Sequence, residues 1–255
     1  METRTFGRRT VDLEPVARAV GIRDVGTMPA TAATDPSTGD MSMAQVLDLM
    51  PVLTLSIAAV LAAVFALENR LAFDLGAGSQ ISQESLMAFG AVGRDLVVGA
   101  RDWWRLFTAP LLHGDLGHLG GNLFALLIVG VRLEGLIGRG WLAAIFVFSA
   151  LTGEIGSLLG NPAHVVTVGA SGAILGVVAA LFVTSLARRA DPETERSLRR
   201  TSLFFGVPAL APLAFGAAGA VDYFAHLGGA IGGIGLGLVM LATWRPGAVK
   251  PAGGE

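Results

Sequence analysis

The sequence contains no cysteine, one tyrosine and one lysine, and only 15% of its 255 residues are charged. Without cysteine there is no disulfide framework, no thiolate nucleophile and no cysteine-ligated zinc or iron–sulfur centre. Lys and Arg total 18 against 20 Asp and Glu, a net charge of −2, so no basic excess offers itself to nucleic acid. A soluble domain carries about 25% charged residues, and a chain this far below that value cannot be solvated all round. What is present fits a bilayer: 53% apolar residues, 35 glycines and a mean hydropathy of +0.63.

Hydropathy divides the chain into three parts. Residues 1–45 are polar and arginine-bearing, without an apolar run of signal-peptide length, and read as a flexible cytoplasmic tail. Residues 46–244 form a membrane domain, and residues 245–255 a short cytoplasmic tail. The first span is the uncharged run Leu49 to Leu67, close to the ~20 residues a helix needs to cross ~30 Å of hydrocarbon. A mixed loop from Glu68 to Gly117 follows, and its Trp103 and Trp104 suit the membrane interface. The second span runs from His118 to Val131. Between Arg139 and Arg188 the only charge is Glu154, and Gly160, Asn161 and Pro162 divide that stretch into two helices. A hydrophilic loop at 190–200 precedes two last spans, Thr201 to Val221 and Tyr223 to Trp244. The expected fold is thus an all-α membrane protein with six transmembrane helices. Arginines near the tail, Arg132, Arg139, the cluster at 188–200 and Arg245 all fall on one side, which places both termini in the cytoplasm.

Polar residues inside apolar spans are expensive and mark candidate sites. His118 and Asn122 open the second span at i,i+4 spacing, Ser171 opens the fourth in VGASGAILG, and His226 lies near the start of the sixth. All four fall at similar depth below the outer face. Gly172 and Gly176 make a small-xxx-small pair, and Gly228, Gly229, Gly232, Gly233 and Gly237 make a ridge, so spans four and six are expected to touch there. Such a crossing brings Ser171 to His226. A hydroxyl beside a neutral imidazole is a nucleophile with its general base, and His118 and Asn122 supply donors for an oxyanion.

Three segments, WRLFTAPLLHGDLGHLGGN from Trp104 to Asn122, GASGAILG from Gly169 to Gly176, and AHLGG from Ala225 to Gly229, together resemble the rhomboid intramembrane serine proteases. The resemblance covers about residues 48–243. It implies a six-helix bundle with a Ser171–His226 dyad lacking a carboxylate, and an oxyanion hole lined by His118 and Asn122. Trp104 and Arg105 belong to the first-loop motif, and His113, Gly169, Gly172 and Gly229 are supporting residues. One departure is visible: Leu175 stands where relatives often carry an aromatic that packs on the catalytic histidine.

Other polar groups have plainer readings. His113, five residues before His118, braces the loop, and His164 is a surface residue. Glu154, with Gly153, Gly156 and Ser157 beside it, serves helix packing or faces water, and Glu134, beside Arg132, makes a local ion pair or a fold-stabilising contact. The four histidines lack the HExxH spacing of a zinc protease, and no related halves suggest a transporter. The expected function is therefore hydrolysis of peptide bonds in or near the spans of other membrane proteins, with no metal or organic cofactor, in a bacterial plasma membrane. The partners are the lipid bilayer and transmembrane substrates, with no nucleic acid. The alternative is a catalytically silent rhomboid-like protein that binds membrane clients.

Overall fold

The computed structural model describes residues 50–73, 80–187, 191–215 and 221–243, with backbone alone for 212–215. Both tails, and with them Arg188, Arg189, Arg245 and Lys250, lie outside the described residues. The architecture is an all-α membrane bundle. Helix α1 (Val52–Leu71) is followed by a structured first loop holding α2 (Gln83–Phe89), β1 (Val92–Gly93) and α3 (Arg105–Thr108). Helix α4 (Leu116–Gly160) comes next, then β2 (Val166–Thr167), α5 (Ser171–Thr184), α6 (Pro192–Phe215) and α7 (Tyr223–Thr243). Among the described residues α1, α4 and α7 are long and apolar enough to cross a membrane, and α5 is a shorter apolar helix.

Helix α4 is broken at Gly138, whose φ of 79° and ψ of 167° leave the helical region; glycine has no Cβ to oppose that conformation. The break separates two arms, so the second and third expected spans are joined by one residue. Arg132 and Glu134 consequently lie inside the first arm rather than beyond it. Helix α1 likewise runs past Leu67 and buries Glu68, which is only 3% exposed. The segment expected as a hydrophilic loop at 190–200 is mostly the first turns of α6. Asp191 starts that helix by accepting hydrogen bonds from the N–H groups of Glu193 and Thr194, both 3.0 Å.

The core lies where both arms of α4 meet α5 and α7. A side chain at Gly229 would collide with the backbone of Gly172, and one at Gly233 with that of Gly176. The expected contact of the fourth and sixth spans is therefore present at these residues. Gly228 and Gly232, on the adjacent face of the ridge, meet Thr152 and Gly156 of α4 instead. One helix thus presents two smooth faces to two neighbours. Leu126, Leu133, Ile145, Ile174, Leu181 and Met240, all fully buried, fill the space around this seam.

Helix α1 is attached differently. Glu134 on α4 accepts from the N–H of Leu53 (2.9 Å), the N–H of Thr54 (2.8 Å) and the Thr54 hydroxyl (2.7 Å). First-turn N–H groups have no partner within their own helix, and a carboxylate also suits the positive end of its dipole. The ion pair of Glu134 is with Arg139 at 3.5 Å. Arg132 instead donates to the carbonyl of Ile128 one turn back, because the side chains of 132 and 134 leave the helix on different faces.

Candidate active site

The chain reaches Ser171 through a tightly tied strand. β2 pairs antiparallel with β1, Val92 opposite Thr167 and Gly93 opposite Val166, and the N–H of Gly169 donates to the carbonyl of Ala109 at 2.9 Å. Gly169 has φ +122°, a conformation that L side chains rarely adopt, and a Cβ there would meet the imidazole of His118 at 2.6 Å. The turn drops Ser171 onto the first position of α5, where backbone N–H groups are unpaired.

Ser171, His226, His118 and Asn122 line one cavity of about 750 Å³, together with residues of the 166–168 strand and of the first loop. The helix starts that carry two of them are capped by carboxylates. Asp115 caps the first arm of α4 by accepting from the N–H of His118 at 2.8 Å. Asp222 caps α7 by accepting from the N–H of Ala225 at 2.9 Å, one residue before His226. His226 is 6% exposed, and its Nδ1 lies 3.0 Å from the carbonyl oxygen of Ala209 on α6. A carbonyl only accepts, so Nδ1 carries the proton and Nε2 keeps its lone pair. That Nε2 is buried and has no partner among the described groups.

Asn122 is oriented by His113. Its Nδ2 donates to His113 Nε2 at 2.9 Å, which leaves the second N–H of the same amide unspent. His113 is fully buried, its ring packs edge-on against that of His118 at 5.1 Å, and its backbone N–H donates to the Glu68 carboxylate at 3.2 and 3.3 Å. Burial, reinforced by the neighbouring His118, pushes the His113 pKa down to about 4, so the ring is the neutral acceptor this bond requires. The loop-bracing role expected of His113 is thus accompanied by a direct hold on Asn122.

The remaining residues act at a distance from the cavity. Arg105 donates to the carbonyls of Met87 (2.7 Å) and Ala91 (3.1 Å), pairs with Asp102 at 3.0 Å and lies over the Trp104 ring at 4.6 Å. Arg94 closes the other end of the loop by donating to the carbonyls of Leu158, Leu159 and Asn161, which cap the second arm of α4. Gly172 and Gly229 form the seam below the cavity. His164 is exposed, as expected, and Glu154 is buried, on the packing side of its two readings. Leu175 is buried, and the aromatic beside His226 comes from its own helix: Tyr223, with ring centroids 6.1 Å apart. Glu68, Tyr223, Asp222 and the Ala209 carbonyl were not singled out from sequence. Glu68 and Asp222 carried a signal, each an ionisable group at the end of an apolar run.

The Rhomboid domain family model matches residues 100–243, more than half of the chain, including Ser171, His226, His118 and Asn122. The chain belongs to the rhomboid family. It is 36% identical over 157 residues to Rhomboid protease GluP of Bacillus subtilis (strain 168), covering 61% of this chain and 29% of that protein. It is 34% identical over 160 residues to RHOMBOID-like protein 1 of Arabidopsis thaliana, covering 63% of this chain and 40% of that one. The match therefore spans about 30 to 40% of the length of these two relatives. This rhomboid is an integral membrane protein of a family that includes intramembrane proteases.

Proposed function

We propose that this rhomboid is an intramembrane serine endopeptidase that cleaves membrane proteins in or near their spans, and that Ser171 and His226 perform the covalent chemistry. The observation that carries this reading is the shared cavity: a hydroxyl at a helix start, an imidazole with a free Nε2 lone pair, and N–H donors of His118 and Asn122 around the same space. Ser171 Oγ attacks the scissile carbonyl while Nε2 of His226 takes its proton. Negative charge then develops on the carbonyl oxygen, where His118, the free Asn122 N–H and the unpaired N–H groups opening α5 can stabilise it. Collapse breaks the C–N bond, the imidazolium returns its proton to the leaving amine, and water hydrolyses the acyl-enzyme by the same route.

A peptide carbonyl inside a helix is screened by its own turn, so a substrate span must unwind before attack. In lipid that exposure costs several kcal/mol per unpaired group, which favours substrates already weakened by Gly or Pro. The cavity includes Gln80 and Gln83 of the first loop, polar groups suited to an unwound backbone. In this reading both termini face the cytoplasm and the cavity opens toward the opposite side. The deciding experiment incubates purified protein, wild type and Ser171→Ala, with single-span reporters and a fluorophosphonate probe. Cleavage and labelling in wild type alone are expected; a folded Ser171→Ala protein that cleaves normally overturns the mechanism. Absence of labelling in wild type would favour a silent client-binding protein.

A further inference from the structure

His226 has one hydrogen bond through Nδ1 and one free lone pair at Nε2, and a single bond to a planar ring does not stop the ring from swinging about it. The χ2 torsion of histidine is broad, so a base aligned with Ser171 needs a second restraint. Tyr223 supplies one. It lies three residues earlier on α7, on the same helical face, and its ring meets that of His226 edge-on at 88°. The hydrogen-bond acceptor comes from a different helix: Ala209 lies on α6, one residue after Pro208 and three before Pro212. Prolines there lack the N–H groups that would bond the carbonyls of residues 204 and 208, and the carbonyl between them, that of Ala209, faces the His226 ring.

We propose that the Ala209 main-chain carbonyl and the Tyr223 ring are positioning groups for His226: the first sets the tautomer, the second sets the ring angle. The carbonyl then occupies the place of the third, orienting group beside a nucleophile and its base. A neutral carbonyl does so without the desolvation cost of a buried carboxylate, which is heavy within a membrane. One consequence is that α6, which contributes no reacting group, is coupled to catalysis through its backbone. The proposal rests on the reading of His226 as general base.

The test uses the full chain in bicelles with a single-span reporter and compares His226→Ala, Tyr223→Leu, Tyr223→Phe and a protein with Nδ1-methylhistidine at position 226. Rates of reporter cleavage, rates of fluorophosphonate labelling at Ser171 and the ¹⁵N spectrum of the His226 ring are the readouts. Wild type should show a pyrrole-type Nδ1 and a pyridine-type Nε2. Tyr223→Leu should lower kcat about tenfold with KM unchanged, and Tyr223→Phe, which keeps the aromatic edge, should recover most of that loss. Methylation of Nδ1 removes the donor and should lower kcat by about 10²-fold. An inactive His226→Ala combined with wild-type kcat in both the Tyr223→Leu and methylated proteins would overturn the clamp while leaving the base intact. A wild-type spectrum with the proton on Nε2 would overturn it as well. Should Tyr223→Leu fail to fold, the methylated protein and the spectrum decide. Full activity of folded His226→Ala would instead remove the base reading beneath the proposal.

Discussion

The two sides of this bundle are held together by opposite means. Where α5 and α7 meet the second arm of α4, backbone lies on backbone: Gly172 against Gly229, Gly176 against Gly233, Gly156 against Gly228. Among α1, the first loop and α4, buried or half-buried ionisable groups reach backbone atoms: Glu134 to the start of α1, Glu68 to His113, Arg105 to Met87 and Ala91, Arg94 to the end of α4. Helices in lipid gain little from hydrophobic burial against each other, so mid-helix contacts depend on close van der Waals approach, which small residues permit. Helix ends and loops carry unpaired N–H and C=O groups that lipid cannot satisfy, and there a charged side chain offsets its own cost. The seam sets Ser171 and His226 on the wall of one cavity; the polar clasp holds Asn122 there through His113.

The seam should be the less forgiving of the two. Gly229→Leu is expected to lower activity by more than about 10²-fold by forcing α5 and α7 apart. Gly235→Leu on the same helix, where a Cβ meets nothing within 4 Å, should stay within about twofold of wild type. Equal reporter cleavage by the two folded variants would end the distinction.

On the other side, Glu134→Ala should lower stability by about 3 kcal/mol, since it strands two N–H groups and a hydroxyl of α1 in a buried place. Unfolding in mixed detergent measures this, and a change below about 0.5 kcal/mol would mean that water takes over the bonds.

A smaller effect tests how the clasp reaches the cavity. His113→Ala should cost about tenfold in kcat on its own, yet nothing further in an Asn122→Ala background, because it acts through that amide. Additive losses would show an independent role. At neutral pH the smallest effect comes from the protonation of His113. Its pKa falls from the ordinary 6.5 to about 4 on burial, so between these values the unfolded chain binds a proton that the folded chain refuses. Stability should therefore decline as pH falls from about 6.5 to 4, and His113→Gln should flatten that slope in acid-unfolding curves.

Much of this was legible along the chain. Uncharged runs gave α1 and α7 within a few residues, because a helix crossing lipid must be both long and apolar. The glycine spacing gave the contact of α5 with α7, because small residues four apart necessarily share a face. The start of α6 reads as loop, since hydropathy marks where lipid ends and not where a helix ends; the charged turns from Pro192 belong to the same helix. Leu175 left the setting of His226 open, and the ring that packs there is Tyr223, three residues earlier on the same helical face; that spacing permits the contact, and the structure shows it is made.

The sequence by itself determined the membrane class through its composition, the family through the resemblance of three segments, and the four polar residues that share a cavity through their place near the starts of apolar spans. Only the tertiary structure decided what holds those residues. Glu68 faces His113 across 45 positions of sequence, Glu134 faces Thr54 across 80, and the partner of His226 is a main-chain carbonyl, an atom every residue carries. A backbone group has no signature in a sequence, and its selection as a partner depends on where the fold leaves it exposed.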